Sequence, residues 1–418
     1  MNSWIYDIEQ FNNFHSIYLH NIHTEEEKCF VLHKDRDDLY DYAEWLEMMR
    51  QDKTSEMIGY NNAAFDYPII HYIFKLIDDC VIVEETTSHI ITLLKTKVDE
   101  LINSGEGFSL EQQRNWTSIQ EKYHHIRQID LFKIHHFDNK ARSCSLKKLE
   151  NNMRWNTVQS LPIPFDADVT KEQIPDIIKY NRNDVLATKE LYWITRGNKE
   201  HITVRFNGLD EHYVGKDKIQ FRHNIQTKFN IPCTNYSDVK IGEEINKQTY
   251  LKLTRKSWWD IKDRRTPRRI ISMKELVPSY IDYIHKPLED LLKKVKCSDI
   301  VEGDKGFKHE FIFAENKWSF MMGGIHSEDK PREVIRDKGD RFNERDCAGM
   351  YPNKILNIGI YPEHLGKAWN DSVRYAVERR MQIKSQAKKD KTLQQESEAL
   401  KLSANGGSLF NRSELKIP

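Results

Sequence analysis

Four acidic residues at three separated places have the types and spacing to do chemistry together. They are Asp7 and Glu9 in YDIE, Asp66 in NNAAFD, and Asp184 in YNRND, where Tyr180 stands four positions ahead. Cutting a phosphodiester with two divalent cations about 4 Å apart needs several carboxylates around the ions. In a strand, residues i and i+2 share a face, so Asp7 and Glu9 point into one pocket. Tyr180 and Asp184, four apart on a helix, also share a face. Asp184 is then placed to hold metal while the Tyr180 hydroxyl orients the attacking water. Taken singly, Asp7 and Glu9 equally suit an exposed edge strand, and Tyr180 with Asp184 an ordinary amphipathic helix. The ordered set is what points to a nuclease centre.

The elements that must carry these groups follow from patterning. Residues 4–8, 15–20 and 29–33 are short runs rich in β-branched and aromatic residues, separated by turn-like stretches, which predicts an opening β-meander. Apolar residues at helical spacing predict a helix over 37–49, and residues 57–60 a strand running into a loop. A helix is expected from Asp66 through residue 77, a surface helical insertion over 82–125, a strand at 129–131, a helix start at 145–151 and a long helix over 173–195. Strands first and flanking helices after predict an α/β nuclease domain.

With 418 residues the chain is long enough for two or three domains. Its 64 basic and 64 acidic residues cancel, so any attraction to nucleic acid must come from local patches. One candidate is 252–274, where nine Lys/Arg face two Asp/Glu and Trp258 and Trp259 are interleaved. That run is either a phosphate-tracking surface or a solvated face over two core tryptophans. Six scattered cysteines without a CxxC pair speak against a zinc site or disulfide scaffold and suit a reducing cytoplasm. No run of 18 apolar residues occurs, so no membrane partner is expected.

The acids and their neighbours resemble the proofreading exonuclease of family B DNA polymerases, whose motifs read DxE, Nx2-3(F/Y)D and Yx3D. Here they stand as Asp7-Ile8-Glu9, Asn61/Asn62 to Phe65-Asp66, and Tyr180 to Asp184. Ser145-Leu146 with Leu149 matches the family's (S/T)Lx2h motif. The resemblance implies a ribonuclease H-like (DnaQ-like) α/β domain over residues 1–198. It also implies two Mg²⁺ (or Mn²⁺) ions per active site, and contacts from Asn61, Asn62, Phe65, Ser145 and Leu146 to a single-stranded 3′ end. Gln10 replaces the family's usual threonine, and the lysine often found before the third motif has no clear counterpart.

Farther along, Asp346-Cys-Ala-Gly-Met-Tyr351-Pro352 is similar to polymerase motif A, DxxSLYP. The resemblance makes Asp346 a metal ligand and Tyr351 the gate against ribonucleotides. Arg374 to Lys391 carries seven basic and two acidic residues and leads into Lys401 and Asn405, which resemble motif B. Lys401, Arg380, Lys384 and Asn405 would then face an incoming dNTP. Gly323-Gly324 resembles the YxGG segment that contacts template. This divides the remainder into a mixed DNA-binding region over 199–335, a partial palm over 336–366 and fingers helices over 367–418.

The sequence contains no DTD, the core of the family's third polymerase motif, and stops thirteen residues past Asn405. The expectation is a viral or phage-type polymerase fragment or split subunit. It would proofread primer-template DNA and need a second polypeptide with the missing aspartate and thumb before it polymerises. A stand-alone exonuclease with a vestigial polymerase segment and a non-catalytic primer-template binding subunit are the alternatives.

Overall fold

A computed structural model describes residues 2–104, 117–139, 142–197, 203–206, 209–212, 216–264, 266, 270–301, 308–321, 324–328 and 349–406, with isolated positions between 333 and 343. Two compact units divide the chain, residues 1–241 and 242–418. Among the described residues no helix is long and apolar enough to cross a membrane.

Unit 1 is mixed α/β, built on a six-stranded sheet. Strands β1 (Asn2–Phe11), β2 (Phe14–Asn21) and β3 (Glu27–His33) form the expected meander, a short β4 (Arg36–Asp37) adds to it, and β5 (Ser55–Gly59) and β6 (Arg127–Asp130) extend the sheet. The order is β4-β3-β2-β1-β5-β6. The first four strands pair antiparallel, while β1 with β5 and β5 with β6 pair parallel. A two-residue turn at Asn12–Asn13 joins β1 to β2 and sets the register Asp7 to Tyr18 and Glu9 to Ser16.

Helices cover both faces. Helices α1 (Leu39–Gln51), α2 (Asp66–Asp78) and α4 (Thr87–Asn103), with the short α3 (Val81–Glu84) between the last two, lie on one side. There Trp4, Tyr6 and Ile8 of β1 join Leu46, Ile70, Phe74 and Leu94 in one apolar cluster. Helices α5 (Leu131–Ile134), α6 (Leu146–Met153) and α7 (Ile174–Thr195) lie on the other side, where Ile5 packs with Ile134, Leu149 and Val185. The alternation of strand side chains therefore sends Asp7 and Glu9 toward α7 and their even-numbered neighbours toward α2. Within the stretch 82–125, helix α4 is not a surface element. Ile90, Ile91, Leu94, Val98 and Leu101 of α4 are buried in the core, because this helix covers apolar sheet that α1 and α2 leave open.

Beyond residue 198, unit 1 adds the hairpin β7 (Thr203–Phe206) and β8 (Leu209–His212), then α8 (Lys218–Phe229) and the start of α9 (Asp238–Thr254). Arg222 of α8 is buried, donating to the Ile134 carbonyl at 3.3 Å and to Asp238 at 2.8 Å. Asn235 braces β6, accepting from Asp130 N at 2.8 Å and donating to Gln128 O at 3.0 Å.

In unit 2, β9 (Ile270–Ser272) pairs with β10 (Asp299–Val301), and β11 (Lys308–Phe313), β12 (Asn316–Met321) and β13 (Gly324–Glu328) form an antiparallel sheet. Helices α10 (Met273–Leu276), α11 (Lys286–Lys296), α12 (Met350–Ile358), α13 (Ala368–Ile383) and α14 (Lys391–Gly406) complete it. Tyr250 of α9 packs with Ile261, Leu365, Trp369 and Val373, and its hydroxyl donates to the Leu365 carbonyl at 2.8 Å. Gly242 lets α9 and α14 touch, since a Cβ there would stand 2.3 Å from the Leu402 carbonyl oxygen.

Candidate metal centre

The centre is assembled where the sheet splays. Strand β5 pairs with β1 only as far as Ile5, and the chain leaves the sheet at Gly59. A Cβ at Gly59 would lie 2.6 Å from Cβ of Asn62, so only glycine lets the following loop fold back this tightly. Asn61 takes a left-handed conformation at φ 66°, its N–H donating to Asp130 at 3.0 Å. Asp66 then opens α2, and its carboxylate accepts the N–H of Ile8 at 3.3 Å, a donor that β5 no longer reaches. Asp66 is thereby fixed at the backbone between Asp7 and Glu9.

Helix α7 supplies the opposite wall. Its buried stripe runs Ile177, Asn181, Asp184, Thr188 and Leu191, apolar at both ends and polar in the middle. A polar interruption of a buried stripe needs partners. Asn181 donates to Asp7 at 2.8 Å, and Asn183 donates to Asp184 at 3.4 Å while accepting from Trp155 Nε1 at 2.9 Å. One carboxylate oxygen each from Asp7, Glu9 and Asp184 lies within 4.8 Å of the others. Asp66 sits beside this triad rather than in it, near enough that its charge raises the proton affinity of Asp7 and Glu9.

Burial and mutual repulsion dominate the electrostatics. Desolvation, then the charges of Asp66, Glu9 and Asp184, holds the Asp7 carboxyl well above the usual range. Glu9 is pushed up to about 8 by desolvation and then by Asp184 and Asp66. Desolvation pushes Asp66 up to about 7 and raises Asp184 as well. Such a cluster suits a hard cation: every donor is a carboxylate oxygen, and positive charge offsets the burial that raises all four groups and the repulsion added at Asp7 and Glu9.

Tyr180 lies in the same place. Its hydroxyl is bonded to Asp184, and desolvation, then the charges of Asp184, Glu9 and Asp7, raises its proton affinity, so it remains a neutral phenol at physiological pH. Sequence reasoning missed the neighbouring cation. Lys147, on the first turn of α6, donates to Asp184 and to Glu150, the latter at 3.3 Å, and lies 4.5 Å from the centre of the Tyr180 ring. Glu150 is itself fully buried. The Lys147–Glu150 spacing on a helix was visible in the sequence, but the reach to Asp184 crosses 37 positions and had no local signal.

The other expected contacts divide. Ser145 is the N-cap of α6, its hydroxyl accepting from Lys148 N at 3.3 Å, and Leu146 starts the helix beside the centre. Phe65 immediately precedes Asp66 and is partly exposed. Asn62 is fully buried, donating to Gln128 at 3.0 Å and Tyr6 at 3.4 Å, so in this conformation it braces the loop from behind. Gln10, the departure from the family pattern, points to the α2 side and ties the first turn together. Its amide donates to the carbonyls of Phe11 at 2.8 Å and Phe14 at 3.1 Å, and its oxygen meets His15 at 2.9 Å.

Asp346 and Gly323 lie outside the described residues, as does the side chain of Asn405. Gly324 begins β13 opposite Met321. Tyr351 stands on the first turn of α12 and is 62 % exposed. Arg380 is part-buried on α13, Lys384 caps that helix in the open, and Lys401 is exposed on α14. The bridge between these two helices is made instead by Arg379, which donates to Glu396 at 2.9 Å.

No family model matches the chain, and no curated protein matches it.

Proposed function

We propose that unit 1 is a ribonuclease H-like 3′–5′ DNA exonuclease working with two Mg²⁺ or Mn²⁺ ions. In this reading the chain carries the proofreading half and the first polymerase motifs of a family B DNA polymerase, with primer-template DNA and dNTPs as its substrates. The convergence of Asp7, Glu9 and Asp184, from the first strand and a helix more than 170 residues later, carries the reading. A meander followed by two parallel strands, with helices on both faces, supports the fold assignment. Outside the nuclease the support is the motif A and motif B resemblance around Asp346, Tyr351 and Lys401.

Asp7, Glu9, Asp66 and Asp184 would hold the ions, which supply an activated water and absorb charge on the leaving 3′ oxygen. The protein's own groups do the rest. Tyr180, kept protonated, donates toward Asp184 and can present its oxygen to a water. Asn181 fixes the Asp7 carboxylate. Lys147 offsets acidic charge at Asp184 and Glu150. In the polymerase part of this reading, Asp346 would be the metal-binding carboxylate that the motif A resemblance supplies.

The test is shortening of a 5′-labelled single strand. The wild-type chain removes nucleotides from the 3′ end in Mg²⁺ and not in EDTA, and Asp7→Ala or Asp184→Ala lowers the rate by at least about a hundredfold. Metal-independent cleavage, or full activity in both variants, would refute the proposal.

A further inference from the structure

Unit 2 carries an aromatic pair that the nuclease centre does not use. Residues Trp258–Asp260 form a single tight turn directly after α9. Its shape is fixed by Asp260, whose carboxylate accepts from Ser257 N at 2.7 Å and from Ser257 Oγ at 2.8 Å. The core anchor of this turn is Ile261, buried against Tyr250 and Trp369. The tryptophans themselves are outside: Trp258 is 39 % and Trp259 75 % exposed. This removes the alternative in which they form a local core.

Cations frame both rings. Lys247 Nζ lies 4.9 Å from the Trp258 ring centre and Lys262 Nζ 4.1 Å from that of Trp259. Arg255, Lys256 and Arg264 are exposed on either side of the turn. Of the two acids in this stretch, Asp260 is consumed by the Ser257 cap and Asp263 faces Lys262 at 3.8 Å. Two neighbouring indoles exposed on one turn give a flat aromatic surface on which unpaired bases can stack. Lys247 is paired to Glu244 at 2.5 Å, so the outward charge beside the rings comes chiefly from Lys262, Arg255, Lys256 and Arg264; flat rings beside such charge match a polymer that alternates unpaired bases with phosphates.

We propose that the Trp258–Trp259 turn is a stacking platform for single-stranded DNA, with Trp259 under a base and Lys262 and Arg264 on the flanking phosphates. The choice of DNA as the polymer rests on the nuclease reading above; the platform itself rests on the turn. A circular single-stranded oligodeoxynucleotide separates the two, because it offers no 3′ end to the centre in unit 1.

Binding of a labelled circle to the full chain in EDTA, followed by fluorescence anisotropy, is the measurement. Trp259→Ala should weaken binding on the order of tenfold, and Trp259→Phe should keep most of it. Lys262→Gln should reduce the slope of log affinity against log salt by about 0.7. Shortening of a labelled trinucleotide in Mg²⁺ should not change in any of the three. Failure of the wild-type chain to bind the circle, or equal binding by Trp259→Ala, overturns the platform and leaves the nuclease reading standing. So does capture of phosphatidylserine vesicles in place of the circle. Trp259-dependent binding by a chain that never shortens a 3′ end upholds the platform and sinks the nuclease reading instead.

Discussion

At the scale of single residues, the centre is a place where the fold tolerates charge that it would otherwise expel. Glu9 moves from 4.5 to about 8 and Asp66 from 3.8 to about 7, both chiefly because burial disfavours their ionised forms. A raised folded-state pKa means that the native protein holds these protons more tightly than the unfolded chain does. Their contribution to stability is complete below about pH 4 and is lost as pH climbs through 7 to 8. Without divalent ions the Tm should therefore fall between pH 5 and 8, and the fall should be shallower in Glu9→Gln. Mg²⁺ should raise the Tm more at pH 8 than at pH 5. Differential scanning fluorimetry over that range checks the sign.

Lys147 makes a separate prediction at the same scale. Paired to Asp184 and Glu150, it stabilises the ion-free centre, so Lys147→Gln should cost about 1–3 kcal/mol without metal. With Mg²⁺ on Asp184 less of that pairing remains to lose, and the stabilisation given by Mg²⁺ should be larger in the variant than in the wild type. An equal Mg²⁺ effect in both proteins would show that Lys147 does not respond to the centre.

At the scale of elements, position follows from where β5 stops. Gly59 ends the strand, the loop folds back, and Asp66 opens α2 with its carboxylate on Ile8 N. Gly59→Ala forces a Cβ to within 2.6 Å of Asn62 and should cost about 1–3 kcal/mol by overpacking, with nuclease activity reduced as Asp66 shifts. A Tm and rate equal to wild type would mean that the loop does not set Asp66. These elements were largely legible in the sequence: runs of β-branched and aromatic residues between turns gave the meander, helical spacing gave α1, and α2 and α7 fell within a few residues of their expected bounds. Helix α4 was not, because a polar outer face and the neighbouring GEGF stretch disguise a buried stripe that depends on sheet several strands away. Nor was Lys147, whose partners come together only when α6 packs against α7. Asn62 has a residue type suited to DNA contact and Gln10 stands where the family has threonine, and both are buried and hydrogen-bonded within the fold. Motif spacing cannot report burial.

At the scale of the whole molecule, the two units carry different shares of the proposed task. In the proposed reading unit 1 supplies the acids for hydrolysis, and unit 2 carries residues that resemble part of a polymerase site. The chain alone should incorporate no dNTP. Adding a polypeptide that carries YxDTDS and a thumb should restore incorporation, lost again with Asp346→Ala. Restoration that survives Asp346→Ala would dismiss the motif A assignment. The central claim is that separated carboxylates cage a pair of cations. Anomalous diffraction from crystals of the protein grown with Mn²⁺ tests it most directly. The account predicts two peaks about 4 Å apart among Asp7, Glu9, Asp66 and Asp184. A map with no peak at these carboxylates, from crystals saturated with Mn²⁺, would contradict it.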